Sequence, residues 1–196
     1  MRLFVAVDID ATVRAAVGAV TRRLAREFES STGRRPGTDV TWVKPENMHL
    51  TLHFLGEVDQ DRAAGLQRTL EAPFAMPAFC LDFDGVGLFP PSGPPRVVWL
   101  GITRGADRLV ALHAEVGARL AGLGFALEIR PYQPHLTLAR FKRPGNPQLR
   151  ELIGQVSAAG IGRSRVDHVT LYESRLSPRG PTYTELARSM LAAARP

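Results

Sequence analysis

Two identical tetrapeptides, His49-Leu50-Thr51-Leu52 and His135-Leu136-Thr137-Leu138, carry the residue types best suited to chemistry in this chain. Each falls in an alternating run that reads as a β-strand, and successive side chains on a strand point to opposite faces. Leu50 and Leu52 therefore face a core while His49 and Thr51 face away together. The second copy repeats the arrangement with His135 and Thr137. An imidazole titrates near ~6.5, so it can take or give a proton close to neutral pH. One neutral imidazole as base and one protonated imidazole as acid are enough to cleave a phosphodiester. The base takes a proton from water and the acid gives one to the leaving alkoxide. Two threonine hydroxyls can donate hydrogen bonds to the non-bridging oxygens as charge shifts in the transition state. A single His-x-Thr in a strand is commonplace, and the second copy at an equivalent place is what gives the pair weight.

The elements that must hold these pairs also recur. The first half reads as strand Met1–Ile9 (Leu3, Val5, Val7 and Ile9 on one face), then a helix over 11–29 marked by Val13, Val17, Val20, Leu24 and Phe28, with Asp10 as its cap. A polar loop over 30–39, a strand Val40–Val43, a turn Lys44–Asn47 and a strand His49–Leu55 follow. A helix Asp59–Leu70, with Ala63, Leu66 and Leu70 inward, and a strand Phe79–Leu88 complete it. The second half repeats the order. It has a strand Val97–Ile102, a helix from about Asp107 stopped by Gly122 and Gly124, a strand Phe125–Arg130, a turn Pro131–Pro134 and a strand His135–Phe141. A helix marked by Leu149, Leu152, Ile153 and Val156 and a strand Val166–Glu173 close it. His49 and His135 are 86 positions apart, and Phe79 and Val166 are 87 apart. The expected fold is α+β. Duplicated βαββαβ units form two lobes with antiparallel sheets around a central cleft and helices on the outer faces. One bilobal domain spans 1–196, with halves of about 1–90 and 95–175. In the tail, Ser177–Pro181 is a turn, and Tyr183–Ala187 suits either a last strand or a helix start.

Bulk properties bound the partners. Hydrophobic residues make up 44% of the 196, enough for a real core, and no apolar run reaches the ~18–20 residues of a membrane span. Met1–Ile9 is short and carries Asp8, so it is a strand rather than a signal peptide. Cys80 is the single cysteine, which excludes an internal disulfide and points to a reducing cytoplasm. The net charge of +6 favours a polyanionic partner, although only two of the 25 basic residues are lysines and the arginines are dispersed. Among other candidates, regular alternation puts His53 on the face of His49, at the rim, and turns Phe54 towards the core. Trp42, Tyr132 and Phe54 are the aromatics near the motifs that can stack on a base. Arg130 and Arg140 flank the second motif, and Arg140 has the better claim if the strand ends or bends there. His113 and His168 read as structural. No acidic residue accompanies His49, His53 and His135 at ligand spacing, so no metal and no cofactor is expected.

At the two motifs the sequence resembles the 2H phosphoesterase superfamily, and more closely its RNA 2′,3′-cyclic phosphodiesterases, also known as 2′-5′ RNA ligases. The resemblance covers nearly the whole chain. It includes Arg2–Asp8, the run Trp42–Met48, Phe54–Val58, Pro134–Arg140 and Leu171–Ser177. It implies opening of a terminal 2′,3′-cyclic phosphate on RNA or a nucleotide to a 2′-phosphate. His135 would be the general base and His49 the general acid, with Thr51, Thr137 and Arg140 on the phosphate and Phe54 stacking on a base. One chain holds both motifs, so a monomer is expected. Two other readings stand beside this one: a noncatalytic RNA-binding module, and the same chemistry on a small cyclic nucleotide or an ADP-ribose cyclic phosphate.

Overall fold

The computed structural model describes residues 1–32, 40–143, 149–154, 161–178 and 180–193. In chain order its elements are β1 (Arg2–Asp8), α1 (Ala11–Thr32), β2 (Val40–Trp42), a 3₁₀ turn (Pro45–Asn47), β3 (His49–Glu57), α2 (Gln60–Glu71), β4 (Phe74–Pro77) and β5 (Phe79–Phe89). There follow β6 (Val97–Arg104), α3 (Ala106–Gly122), β7 (Leu136–Phe141), α4 (Leu149–Gly154), β8 (Arg163–Val166), β9 (His168–Ser177) and β10 (Gly180–Ala192). Two five-stranded sheets result, ordered β3-β1-β9-β10-β4 and β2-β7-β6-β5-β8. Every pairing is antiparallel except β10 with β4. The expected mixed α+β class with two antiparallel-rich sheets is what forms.

The two halves exchange strands. β9, late in the second half, pairs with β1, and β5, late in the first, pairs with β6. β2 likewise joins β7 rather than its own neighbour β3. The pairs that carry the motifs nevertheless match in register. Val7 faces Leu50 and Ala6 faces Thr51 in one sheet; Leu100 faces Leu136 and Trp99 faces Thr137 in the other. Leu50 and Leu136 are fully buried. Burial of a leucine side chain stabilises by roughly 1.5–3 kcal/mol, so each motif is anchored through the residue next to its histidine.

Both motif strands then carry a bulge at the same place. The ladder passes from Ala6–Thr51 to Val5–His53, and from Trp99–Thr137 to Val98–Ala139. Leu52 and Leu138 are the extra residues, and a bulge reverses the alternation beyond it. Leu52 and His53 are thus both buried, as are Leu138 and Ala139. This corrects the regular-alternation reading. His53 turns inward, and Phe54, expected in the core, is 52% exposed. Arg140 is exposed too, on the side of Thr137.

The helices follow the expected stripes. Ala63, Leu66 and Leu70 of α2 and Leu109, Leu112, Val116 and Leu120 of α3 are buried. Asp59 caps α2 by accepting the Arg62 backbone N–H at 2.8 Å. After α3, Gly124 has φ +73°, its N–H reaches the Ala121 carbonyl, and that of Phe125 reaches the Leu120 carbonyl. That pattern is the glycine stop expected there. Asp10 does not cap α1 with its side chain; its carboxylate accepts the Arg165 backbone N–H at 2.9 Å and ties the helix start to β8.

Two further expectations change, two strands are new and one open choice is settled. Phe125–Arg130 forms no strand, because beyond Phe125 its side chains lie exposed and Ile129 is fully so. β4 and β8 are short edge strands without a readable alternation. The strand expected over Val166–Glu173 starts at His168 as β9 and runs on to Ser177. The tail is strand despite helix-favouring Glu185, Leu186 and Ala187, because β9 offers it a long ladder. Most of the expected loop over 30–39, Val156 of the last helix and Arg179 of the tail turn lie outside the described residues.

Candidate active site

Both candidate imidazoles are held in the same way. The Nδ1–H of His49 donates to the Asn47 carbonyl at 2.9 Å, and that of His135 donates to the Gln133 carbonyl at 2.7 Å. A carbonyl can only accept, so each neutral ring carries its proton on Nδ1 and leaves Nε2 as a base. His49 Nε2 lies 3.1 Å from the Thr51 hydroxyl. The backbone two residues upstream supplies each anchor. The 3₁₀ turn Pro45–Asn47 presents one, and the Pro131–Pro134 segment presents the other.

Aromatic rings surround the first imidazole. Phe4 stacks on His49 at 4.7 Å, and Tyr183 stands edge-on at 5.2 Å. Phe4 comes from the face of β1 that also carries Ala6 and Asp8, opposite Phe54, Thr51 and His49 in the ladder. Tyr172 stacks on Phe4 in turn, at 5.3 Å. At the second imidazole, Phe89 stands edge-on at 5.1 Å. Phe54 faces the same side as Thr51, with the Arg2 guanidinium 4.9 Å from its ring centre.

Burial pushes the His49 pKa down to about 4. The Asn47 hydrogen bond and the Asp8 charge oppose that shift, and the Arg140 charge adds to it. Burial also lowers His135, with the Gln133 hydrogen bond opposing and Arg140 again adding. Arg140 thus lies within electrostatic reach of both imidazoles and of Tyr183. β3 and β7 approach each other across the two sheets, which brings the motifs together. In the empty protein both rings are neutral at pH 7, and an anionic phosphate placed between them favours protonation.

Behind His49 lies a polar cluster that the residue pattern did not reveal. Asp8 accepts hydrogen bonds from the hydroxyls of Tyr172 at 2.8 Å and Thr170 at 3.0 Å, and from His168 Nε2 at 3.2 Å. Burial alone would raise the Asp8 carboxyl, but these bonds outweigh it and hold the pKa at about 2. The hydrogen bond to Asp8 raises the pKa of His168, and Asp167 holds its other nitrogen at 2.6 Å. His168, read as structural, is therefore held towards its protonated form beside the site. His53 is drawn away from it: its Nε2–H donates to the His113 carbonyl at 2.8 Å, and its ring stacks on that of His113 at 4.0 Å. Trp42 lies in β2 opposite Ala139, and Arg130 is exposed outside any strand. Among the described residues no group of three or more His, Cys, Asp or Glu side chains is placed to hold a metal ion.

The sequence and the fold have counterparts in known proteins. An RNA 2′,3′-cyclic phosphodiesterase of Archaeoglobus fulgidus is 37% identical over 95% of this chain and 98% of its own. One of Thermotoga maritima is 34% identical over 95% and 93%. Among solved structures, the protein TT0787 of Thermus thermophilus superposes with a TM-score of 0.73 at 29% identity over the full length of both chains. LigT of E. coli complexed with 3′-AMP superposes with a TM-score of 0.72 at 28% identity over 97% of each. The family model of the 2′-5′ RNA ligase superfamily matches residues 35–178, a span that includes both tetrapeptides. With that match and those relatives, the chain belongs to the 2′-5′ RNA ligase superfamily of 2H phosphoesterases.

Proposed function

We propose that this protein hydrolyses 2′,3′-cyclic phosphate ends of RNA or nucleotides to 2′-phosphates, without a metal or cofactor. The observation that carries the reading is the matched pair of imidazoles. Both are fixed on Nδ1 by a backbone carbonyl, and both lie within reach of one guanidinium, Arg140. The names of the relatives support the substrate class.

In this reading the cyclic phosphate binds between the rings. Arg140 and the hydroxyls of Thr51 and Thr137 take its non-bridging oxygens. His135 Nε2 takes a proton from water as the oxygen attacks phosphorus. His49, protonated once the anion is bound, gives its proton to the leaving 3′ oxygen. Phe54 offers a stacking face on the side of the first motif. Asp8, held ionised by its three donors, favours the protonated form of His49. The acid and base parts of the two rings follow the family resemblance, since burial lowers both. Both motifs come from one chain, so a monomer suffices, and the work would be done in the cytoplasm. No described helix is long and apolar enough to cross a membrane.

The test is single-turnover hydrolysis in EDTA by His49→Ala and His135→Ala. Each should lose about 10²–10⁴-fold in rate with an unchanged melting curve, as expected for removal of a general acid or base. Full activity in either variant would sink the proposal. Salt-sensitive RNA binding without turnover by the native protein would favour a binding module instead.

A further inference from the structure

His53, His113 and Tyr132 form a column of three rings that joins the strand of the first motif to the anchor of the second. His53 belongs to β3, just past the first tetrapeptide, and the bulge at Leu52 turns it inward. Its ring lies on that of His113, from α3, at 4.0 Å and 17°. His113 in turn lies on Tyr132 at 4.2 Å and 5°. Tyr132 directly precedes Gln133, whose carbonyl accepts the Nδ1–H of His135 at 2.7 Å. The far end of the column is tied as well, because His53 Nε2–H donates to the His113 carbonyl at 2.8 Å. α3 leaves room for it. Gly117 lies one turn beyond His113 on the same helix face, and a Cβ there would stand 3.2 Å from His53 Cε1. A glycine weakens a helix interior, and the close approach of His53 accounts for this one.

The stretch that carries the Gln133 carbonyl has little else to hold it. Residues 125–135 lie in no helix or strand, and among the described residues no backbone–backbone hydrogen bond involves 126–134. Of the hydrophobic side chains in 126–134 only Tyr132 packs against the core, and Ile129 is fully exposed. The Tyr132 hydroxyl is buried and makes no hydrogen bond among the described residues. The ring face on His113, rather than the hydroxyl, therefore holds Tyr132 in place. Burial lowers the pKa of both histidines of the column, His113 to about 4, so the rings stack without charge at pH 7.

We propose that this column is the positioning device of His135. It holds Tyr132 and with it the Gln133 carbonyl, which fixes the tautomer and direction of the imidazole. His53, His113 and Tyr132 act through that carbonyl and do not touch the substrate. The inference rests on the phosphodiesterase reading for the kinetic arm of its test, and the spectroscopic arm needs no turnover.

The variants come in pairs, made in the full-length protein. His113→Ala and Tyr132→Ala each remove one plate of the column. His113→Phe and Tyr132→Phe keep a flat ring in its place. Both alanine variants should lower kcat on a cyclic phosphate about 10–100-fold, the scale of a small misplacement at a reacting group. KM should change less than about threefold, because Arg140, Thr51 and Thr137 are untouched. Both phenylalanine variants should keep kcat within about threefold of native, since the stack survives. In the spectroscopic arm, nitrogen NMR at neutral pH follows the His135 ring, with His135→Gln identifying its signals. The native ring should be protonated on Nδ1. The alanine variants should show a mixture of tautomers, and the phenylalanine variants should not. His113→Ala leaves residues 125–135 unaltered in sequence and alanine suits a helix, so it carries the test if Tyr132→Ala does not fold. A rise in KM at constant kcat in Tyr132→Ala would make Tyr132 a substrate contact and overturn the proposal. Equal losses in the phenylalanine and alanine variants, or an unchanged His135 tautomer in the alanine ones, would overturn it too. If the native protein turns over no cyclic phosphate, the His135 signals still decide, so this inference and the activity fail separately.

Discussion

A carbonyl oxygen accepts and never donates, and that fact sets the state of both histidines. With Nδ1–H committed to Asn47 and Gln133, Nε2 is the nitrogen each ring would turn to the proposed substrate. The shifts then fix the pH dependence. Burial lowers both rings in the empty protein, His49 to about 4, whereas a bound phosphate anion raises them. The bell in kcat/KM, which reports the free enzyme, should therefore centre at lower pH than the bell in kcat. Arg140→Gln removes a positive charge that depresses both rings, so its kcat/KM bell should move to higher pH. Phosphate affinity should fall at the same time, and kcat/KM by about 10–100-fold. A bell that stays in place or moves to lower pH would separate Arg140 from the imidazoles. At this scale the candidate histidines and threonines stand out in the sequence because the same four residues occur twice. The anchors were not, since every residue carries a carbonyl and nothing marks Asn47 or Gln133 as the ones used. Asp8 stayed hidden because its donors, Thr170, Tyr172 and His168, lie more than 150 positions away in the chain.

The bulge at Leu52 and Leu138 is the element-scale device that assembles the site. It places Phe54 and Arg140 on the histidine side while Leu50 and Leu136 hold the strand in the core. Leu50→Ala should cost about 2–5 kcal/mol in urea denaturation, since the cavity it leaves lies in a fully packed layer. A loss below about 1 kcal/mol would mean that β3 is not anchored there. The start of α3 tests a different constraint. Gly105 has φ +79°, and a Cβ there would run into the Cys80 carbonyl. Gly105→Ala should cost about 1–3 kcal/mol through strained backbone, whereas Gly65→Ala, with no near neighbour beyond the tip of Arg68, should be neutral or stabilising. Most strands and helices were legible from periodicity. Phe125–Arg130 misled because Phe125, Leu127 and Ile129 alternate like a strand, yet of the three only Phe125 packs against the core and Ile129 is fully exposed. Bulges carry no sequence mark here, which is why His53 and Phe54 were read on each other's faces.

At the scale of the whole molecule, the strand exchange makes each sheet depend on both halves. We read the chain as one folding unit, and residues 1–92 expressed alone should show no cooperative unfolding. A sharp transition in that fragment would argue for two separable lobes. Stability should also depend on pH in a set direction. His49, His53, His113 and His135 all have lowered pKa values, His49 and His113 near 4. Below ~6.5 the unfolded chain binds protons that the folded one refuses, so stability falls as pH drops from ~6.5 towards ~4. His168 acts oppositely. Raised by Asp8, it stabilises fully below ~6.5 and loses its effect as pH rises through its folded value. Four against one, the urea midpoint should be lower at pH 5 than at pH 7, with the slope unchanged. The repeat of order and offset suggests a duplication that the second half does not complete, since Phe125–Arg130 forms no strand, and the exchange of strands was not legible because periodicity within a strand says nothing about its neighbour. All of this serves one claim, that the paired imidazoles open a cyclic phosphate. The most direct test gives the purified protein an oligonucleotide ending in a 2′,3′-cyclic phosphate, in EDTA, and identifies the new end. We expect conversion to a 2′-phosphate; a 3′-phosphate, or no conversion of a substrate that binds, would contradict the claim.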